Sequence, residues 1–385
     1  MSEHQADYSL TNTVAGSTQV SFVDGQAGEL LYRGYSIKEL AKYSSFDEVS
    51  YLLLCGKLPS QDELYDWKTL LAATRKLEPE SERLLWNIKL FHEPATPMDV
   101  LRTALSDLAL RQMNIDNTSQ LSLIAHGITL ISQHPTLVAA YHRIHRNQPP
   151  VGPLPEIGHA ANFLWMLTGT VPSDEEVRAL DIALILHADH GYNASTFTAR
   201  VCASTGSDIF SCICAAIGAL KGPRHGGANV NVFRMLQEIR DPKKVEGYFS
   251  SQLEQNPKWR IPGFGHRIYK TKDPRAQILK PLAKEICHQK RLPWFDIALE
   301  VEKQALTLFR KRGKEDLQCN VDFYSAPLFG ALGIDPDFFP CMFALARTPG
   351  LVAQCMEEYE NGRIIRPLNV YTGSPLRSYV QLKDR

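Results

Sequence analysis

Three histidines of this 385-residue chain stand where reactive groups are easily exposed, each beside a glycine. His225 lies in Lys221-Gly222-Pro223-Arg224-His225-Gly226-Gly227. Gly222-Pro223 stops an apolar helix expected over 208–220, and a new helix is expected over 229–239. His225 is thus expected at a bend, near the N-terminus of the second helix. The positive end of that helix favours a neutral imidazole and an anionic guest. His266 closes Pro262-Gly263-Phe264-Gly265-His266-Arg267. That loop lacks the third glycine of a dinucleotide fingerprint, but it can fold around a planar ring and present backbone amides to it. His190 belongs to Leu186-His187-Ala188-Asp189-His190, near the end of a helix expected over 174–190. Spacing of three predicts that His187 and His190 share a helix face. A zinc site there lacks the glutamate and a clear third ligand.

Asp322 follows Asn320-Val321 just ahead of an apolar helix. Taken alone it reads as an ordinary capping carboxylate or as a group available for chemistry. Arg275 comes directly after Asp273-Pro274, where proline marks a helix start. Arg347 sits at a helix end inside an apolar segment, where a buried guanidinium needs partners. Arg366 precedes Pro367 near the C-terminus. Arg275, Arg347 and Arg366 together have the forked donors that grip a small dicarboxylate.

Helices must position these groups. Ser36 with Glu39, Ser45 with Glu48, Ser60 with Glu63 and Ser173 with Glu176 each match S-x-x-E ahead of an apolar run, the capping-box pattern. Thr96-Pro97 opens another helix. Further helical periodicity covers 98–113, 119–133, 136–146, 156–167, 274–289, 296–312, 323–332, 337–347 and 349–361. The clearest β signal is a hairpin from Thr18 to Val23, turning at Asp24-Gly25 and returning over Leu30 to Arg33. Residues 1–14 are expected to form a loose arm. No strand–helix alternation occurs, so a doubly wound sheet is excluded and the class is all-α.

The formal net charge is zero, which argues against nucleic acid or an anionic membrane as a general partner. Hydrophobic residues make up 44% and charged residues 22%, an ordinary globular balance. The eight cysteines form no C-x-x-C pair and read as buried thiols in a reducing compartment. With no apolar leader and no membrane-length run, a cytoplasmic location is expected. No metal is expected.

Taken together the motifs resemble the citrate synthase family in its bacterial form, which includes 2-methylcitrate synthases. The matching stretches run from Phe22-Val23-Asp24-Gly25 and Tyr32-Arg33-Gly34-Tyr35 to Tyr371-Thr372-Gly373. Between them lie Ile185 to His190 with Asn193 to Arg200, Gly218 to Asn229, Gly263 to Arg267 with Asp273 to Ala276, and Asn320 to Ser325. The resemblance implies condensation of acetyl-CoA with oxaloacetate and hydrolysis of the thioester, with no cofactor beyond the acyl-CoA substrate. Asp322 would be the base, His225 the enol stabiliser and His266 the acid for the ketone. His190, Arg275 and Arg347 would hold oxaloacetate, and Arg366 would reach in from the partner of a homodimer. Pro262, Gly263, Phe264, Gly265 and Lys270 would bind CoA. The implied fold has two helical domains, residues 1–228 with 329–385 and residues 229–328.

Three positions depart from the family. Gly191 stands where glutamate is usual and is expected to loosen His190. Arg224 replaces leucine and is expected to disfavour protonation of His225 by like charge. Val230-Asn231 replaces an acidic residue. Two alternatives follow: a 2-methylcitrate synthase using propionyl-CoA, and a weakly active paralogue that binds acyl-CoA.

Overall fold

The computed structural model describes Leu10 and residues 13–91, 95–112 and 119–385. The expected arm over residues 1–14 falls mostly outside them. The chain first forms a small antiparallel sheet of β1 (Ser21–Asp24), β2 (Glu29–Tyr32) and β3 (Tyr35–Ser36), in that order. Ser21 pairs with Tyr32 and Asp24 with Glu29. The Asp24 carboxylate accepts from the amides of Gln26 and Ala27 and so shapes the first turn. The third strand was not expected. A second turn at Arg33 and Gly34, both at positive φ, brings it back.

Sixteen α-helices follow among the described residues. The first eight are α1 (Ile37–Tyr43), α2 (Phe46–Cys55), α3 (Gln61–Thr74), α4 (Pro79–Phe91), α5 (Pro97–Leu110), α6 (Gln120–His145), α7 (His159–Thr168) and α8 (Asp174–His187). The others are α9 (Ala194–Ala203), α10 (Ile209–Leu220), α11 (Ala228–Ile239), α12 (Val245–Gln255), α13 (Pro274–Gln289), α14 (Trp294–Lys311), α15 (Val321–Ala331) and α16 (Phe339–Asn361). The fold is all-α with a minor sheet. Ser60 and Ser173 complete reciprocal capping boxes, as does Thr96 with Asp99. Ser45 accepts from the Glu48 amide, but the Glu48 carboxylate turns to Ser44 instead.

Two long helices replace pairs of shorter ones. α6 runs through Pro135 and α16 through Pro349. Each proline costs one backbone hydrogen bond, but both helices are buried along most of their length there, and packing outweighs the loss. α16 is the central strut, touching α2, α5, α6, α8, α9 and α10. Gly350 permits a close approach just past the end of α8: a Cβ there would lie 2.2 Å from the Ala188 carbonyl. α11 to α15 pack mainly on one another, while α13 also meets α1 and α8, and α11 meets α16. All eight cysteines are free thiols, five of them buried. No helix among the described residues is long and apolar enough to cross a membrane.

Candidate active site

The bend between α10 and α11 carries His225. The Gly222 carbonyl accepts from the amides of His225 and Gly226, which turns the chain back. Gly226 is required, since a Cβ there would lie 2.3 Å from the Leu220 carbonyl. Across the bend, the Ser195 amide in the first turn of α9 donates to His225 Nε2 over 3.2 Å. A lone pair must face that amide, so the imidazole proton is assigned to Nδ1. Burial lowers the His225 pKa to about 4, with the Arg347 charge adding to it. The expectation for Arg224 is therefore not met: Arg224 is exposed, and burial with Arg347 accounts for the shift.

The glycine loop presents His266. Its Nδ1 accepts from the amides of Ile268 and Tyr269 at 3.0 and 3.1 Å, which puts the proton on Nε2. Burial, then Arg275, lowers its pKa to about 4. Neutral His225 and His266 thus each keep one N–H donor unspent.

The loop is strapped to the start of α15. The Asn320 amide donates to Gly263 O, Gly265 N to Gln318 O, and Asn320 Nδ2 to Gly265 O, each at 2.9 Å. Asn320 also caps α15, accepting from the Asp322 amide. His266 and Asp322 are therefore held by one continuous backbone unit. Pro262, Gly263 and Gly265 offer backbone only. The Phe264 ring turns inward onto Phe309 and Phe323, 5.4 and 4.9 Å away. Lys270 is exposed, and its amide donates to Gly25 in the β1–β2 turn.

The cationic side of the site is buried. Arg275 is 3% exposed and clasped by both oxygens of Asp273, the N-cap of α13. Asp273 also accepts from the Val321 amide, linking α13 to α15. Arg347 is 4% exposed and donates through Nε to the His187 carbonyl at the end of α8. Burial raises the Asp322 pKa to about 6, against the opposing pull of Arg275 and Arg347. The same two guanidiniums depress His190, after burial. Arg275 also acts on His266, and Arg347 on His225. The two charges thus link Asp322 and all three histidines electrostatically.

His187 and His190 do not share a helix face. α8 ends at His187, and His190 lies beyond it. His187 bonds the Ala183 carbonyl and abuts Phe343, whereas the His190 ring sits 5.2 Å from that of His266. Among the described residues no group of three or more His, Cys, Asp or Glu is placed to hold a metal. Gly191 does not leave its segment loose, because its amide donates to Ser21 Oγ and Asp189 Oδ2. Arg366 is exposed on the C-terminal segment, whereas Arg275 and Arg347 are buried. Sequence reasoning missed Ser195, Asp273 and Tyr269 as site residues. Only the neighbouring motifs of Ser195 and Asp273 signalled them.

The sequence profile described as citrate synthase, C-terminal domain, matches residues 9–368. The chain is 42% identical over 378 residues to citrate synthase 2 of Bacillus subtilis, covering 98% of each chain. It is 40% identical over 377 residues to the citrate synthase of Deinococcus radiodurans, again covering 98% of each. The fold superposes with a TM-score of 0.91 on citrate synthase of Thermoplasma acidophilum, solved as a ternary complex with carboxymethyl coenzyme A and oxaloacetate. That match has 30% identity and covers 99% of this chain and 100% of the other. The chain belongs to the citrate synthase family.

Proposed function

We propose that this chain condenses acetyl-CoA with oxaloacetate and releases citrate and CoA. Asp322 takes a proton from the acyl methyl group. His225 donates from Nδ1 to the thioester oxygen as the enol forms. The enol carbon attacks the ketone carbon of oxaloacetate, and His266 Nε2–H supplies the proton its oxygen takes up. Water then cleaves the thioester of the adduct, giving the free carboxylate and the CoA thiol. His190, Arg275 and Arg347 hold the oxaloacetate carboxylates, joined by Arg366 from the partner of a homodimer. The backbone of Pro262 to Gly265 and the Lys270 ammonium receive CoA. Residues 229–328 act as the small domain, closing on 1–228 with 329–385 to exclude water.

The observation that carries this reading is the pair of fixed tautomers. Ser195 spends the lone pair of His225, and two loop amides spend that of His266. Each ring keeps one donor, and Asp322, under the same two arginine charges, has a pKa of about 6 that suits a base at neutral pH. The relatives named above are citrate synthases, which favours acetyl-CoA over propionyl-CoA. One methylene discriminates weakly, so slower turnover of propionyl-CoA is expected. The test is a free-thiol assay across a panel of acyl-CoA and 2-oxo acid pairs. Fastest release with acetyl-CoA and oxaloacetate supports the reading. Faster release with propionyl-CoA overturns the acetyl assignment, and no release with any pair overturns the activity.

A further inference from the structure

One buried hydroxyl at the site has no part in the chemistry above. Tyr269 is 3% exposed and lies three residues after His266. Its Oη is 3.1 Å from His190 Nε2. Its ring centroid lies 4.7 Å from that of His266 and 5.5 Å from that of His190, and the two histidine rings are 5.2 Å apart. The three rings form a closed triangle. The Arg275 guanidinium stands over the tyrosine face, 5.7 Å from its centroid. Tyr269 therefore touches three of the groups that handle the 2-oxo acid, while its amide fixes the tautomer of His266.

We propose that Tyr269 is a positioning residue for the 2-oxo acid, its hydroxyl holding the His190 imidazole in the orientation that receives the diacid. This rests on the citrate synthase reading given above. His190 lies beyond the end of α8, so no helix fixes its χ angles. The ring bonds its own backbone, and the tyrosine hydroxyl is the side-chain partner that ties it to the rest of the site. An imidazole in low dielectric without that hydrogen bond loses both a partner and a unique rotamer. The phenol ring acts separately, packing against His266 and under Arg275. The hydroxyl and the ring are thus separable by substitution.

Tyr269→Phe keeps the ring and removes only the oxygen. The expected result is a rise in the oxaloacetate KM of roughly three- to tenfold, the size of one net hydrogen bond. The acetyl-CoA KM and kcat stay within about twofold, because His266 keeps its packing and both loop amides. Tyr269→Leu removes the ring as well and is expected to lower kcat too, through His266. Direct oxaloacetate binding by calorimetry on the wild-type and Phe proteins gives a readout independent of turnover. A Phe variant that binds oxaloacetate as tightly as wild type overturns the proposal and leaves the parent reading intact. So does one whose two KM values rise equally. A wild-type protein that neither binds oxaloacetate nor releases CoA with it overturns both.

Discussion

Asp322 sets its own conditions at the scale of one residue. Burial raises its pKa from 3.8 to about 6, so the folded chain retains the proton longer than the unfolded one. Stability from this group is greatest below pH 3.8, declines as pH rises through about 6, and stays reduced above it. The cost of the charged form at pH 8 is on the order of 3 kcal/mol at most. Asp322→Asn is therefore expected to raise the melting temperature at pH 8, with the gain shrinking toward pH 4. A variant less stable than wild type at pH 8 contradicts this. The same group governs activity in the opposite sense. His225 and His266 stay neutral above about pH 4, so the acid limb of the kcat/KM profile belongs to Asp322 and is expected near pH 6. A limb at pH 4 would assign the base elsewhere.

Loops strapped to helix ends carry the site at the scale of elements. Gly263 has φ +78°, and a Cβ there would lie 2.8 Å from both Phe323 and Val232. Gly263→Ala combines left-handed strain with overpacking, for an expected loss of about 2–4 kcal/mol in urea unfolding. It is also expected to raise the acetyl-CoA KM, since the loop cannot keep its strap to Asn320. An unchanged unfolding midpoint contradicts both. Much of this layer is legible in the sequence. The S-x-x-E boxes mark the starts of α3 and α8, and Gly222-Pro223 marks the bend at His225. Prolines mislead within α6 and α16, because local propensity cannot weigh burial on every side. α12 escapes notice: Val245–Gln255 is largely polar and has only Val245 and Phe249 buried. The ties from Asn320 to the glycine loop and from Tyr269 to His190 join residues 55 and 79 positions apart, and no local pattern encodes them. The motif order names His190 and His266, whose rings meet at 5.2 Å. It says nothing of which nitrogen of each histidine is free.

The chain leaves an unfinished surface at the scale of the whole molecule. Beyond α16 the C-terminal segment is largely without helix or strand, with Leu368, Leu376 and Tyr379 at least 80% exposed. Exposed apolar side chains of this kind are expected to be covered by a second copy of the chain, as the proposed role of Arg366 requires. Sedimentation is expected to give a particle of at least twice the 43.2 kDa chain mass. A monomer at micromolar concentration would remove Arg366 from the proposed site. Catalysis, on this reading, depends on a carboxylate acting between two neutral imidazoles whose donors are pre-set. CoA release from acetyl-CoA and oxaloacetate at pH 8, by the wild-type protein and by Asp322→Asn, tests that dependence without intermediary steps. Turnover is expected in the wild type, with a loss of about 10²–10⁴-fold in kcat in the variant and oxaloacetate still bound. Equal rates for the two proteins would show that Asp322 is not the base.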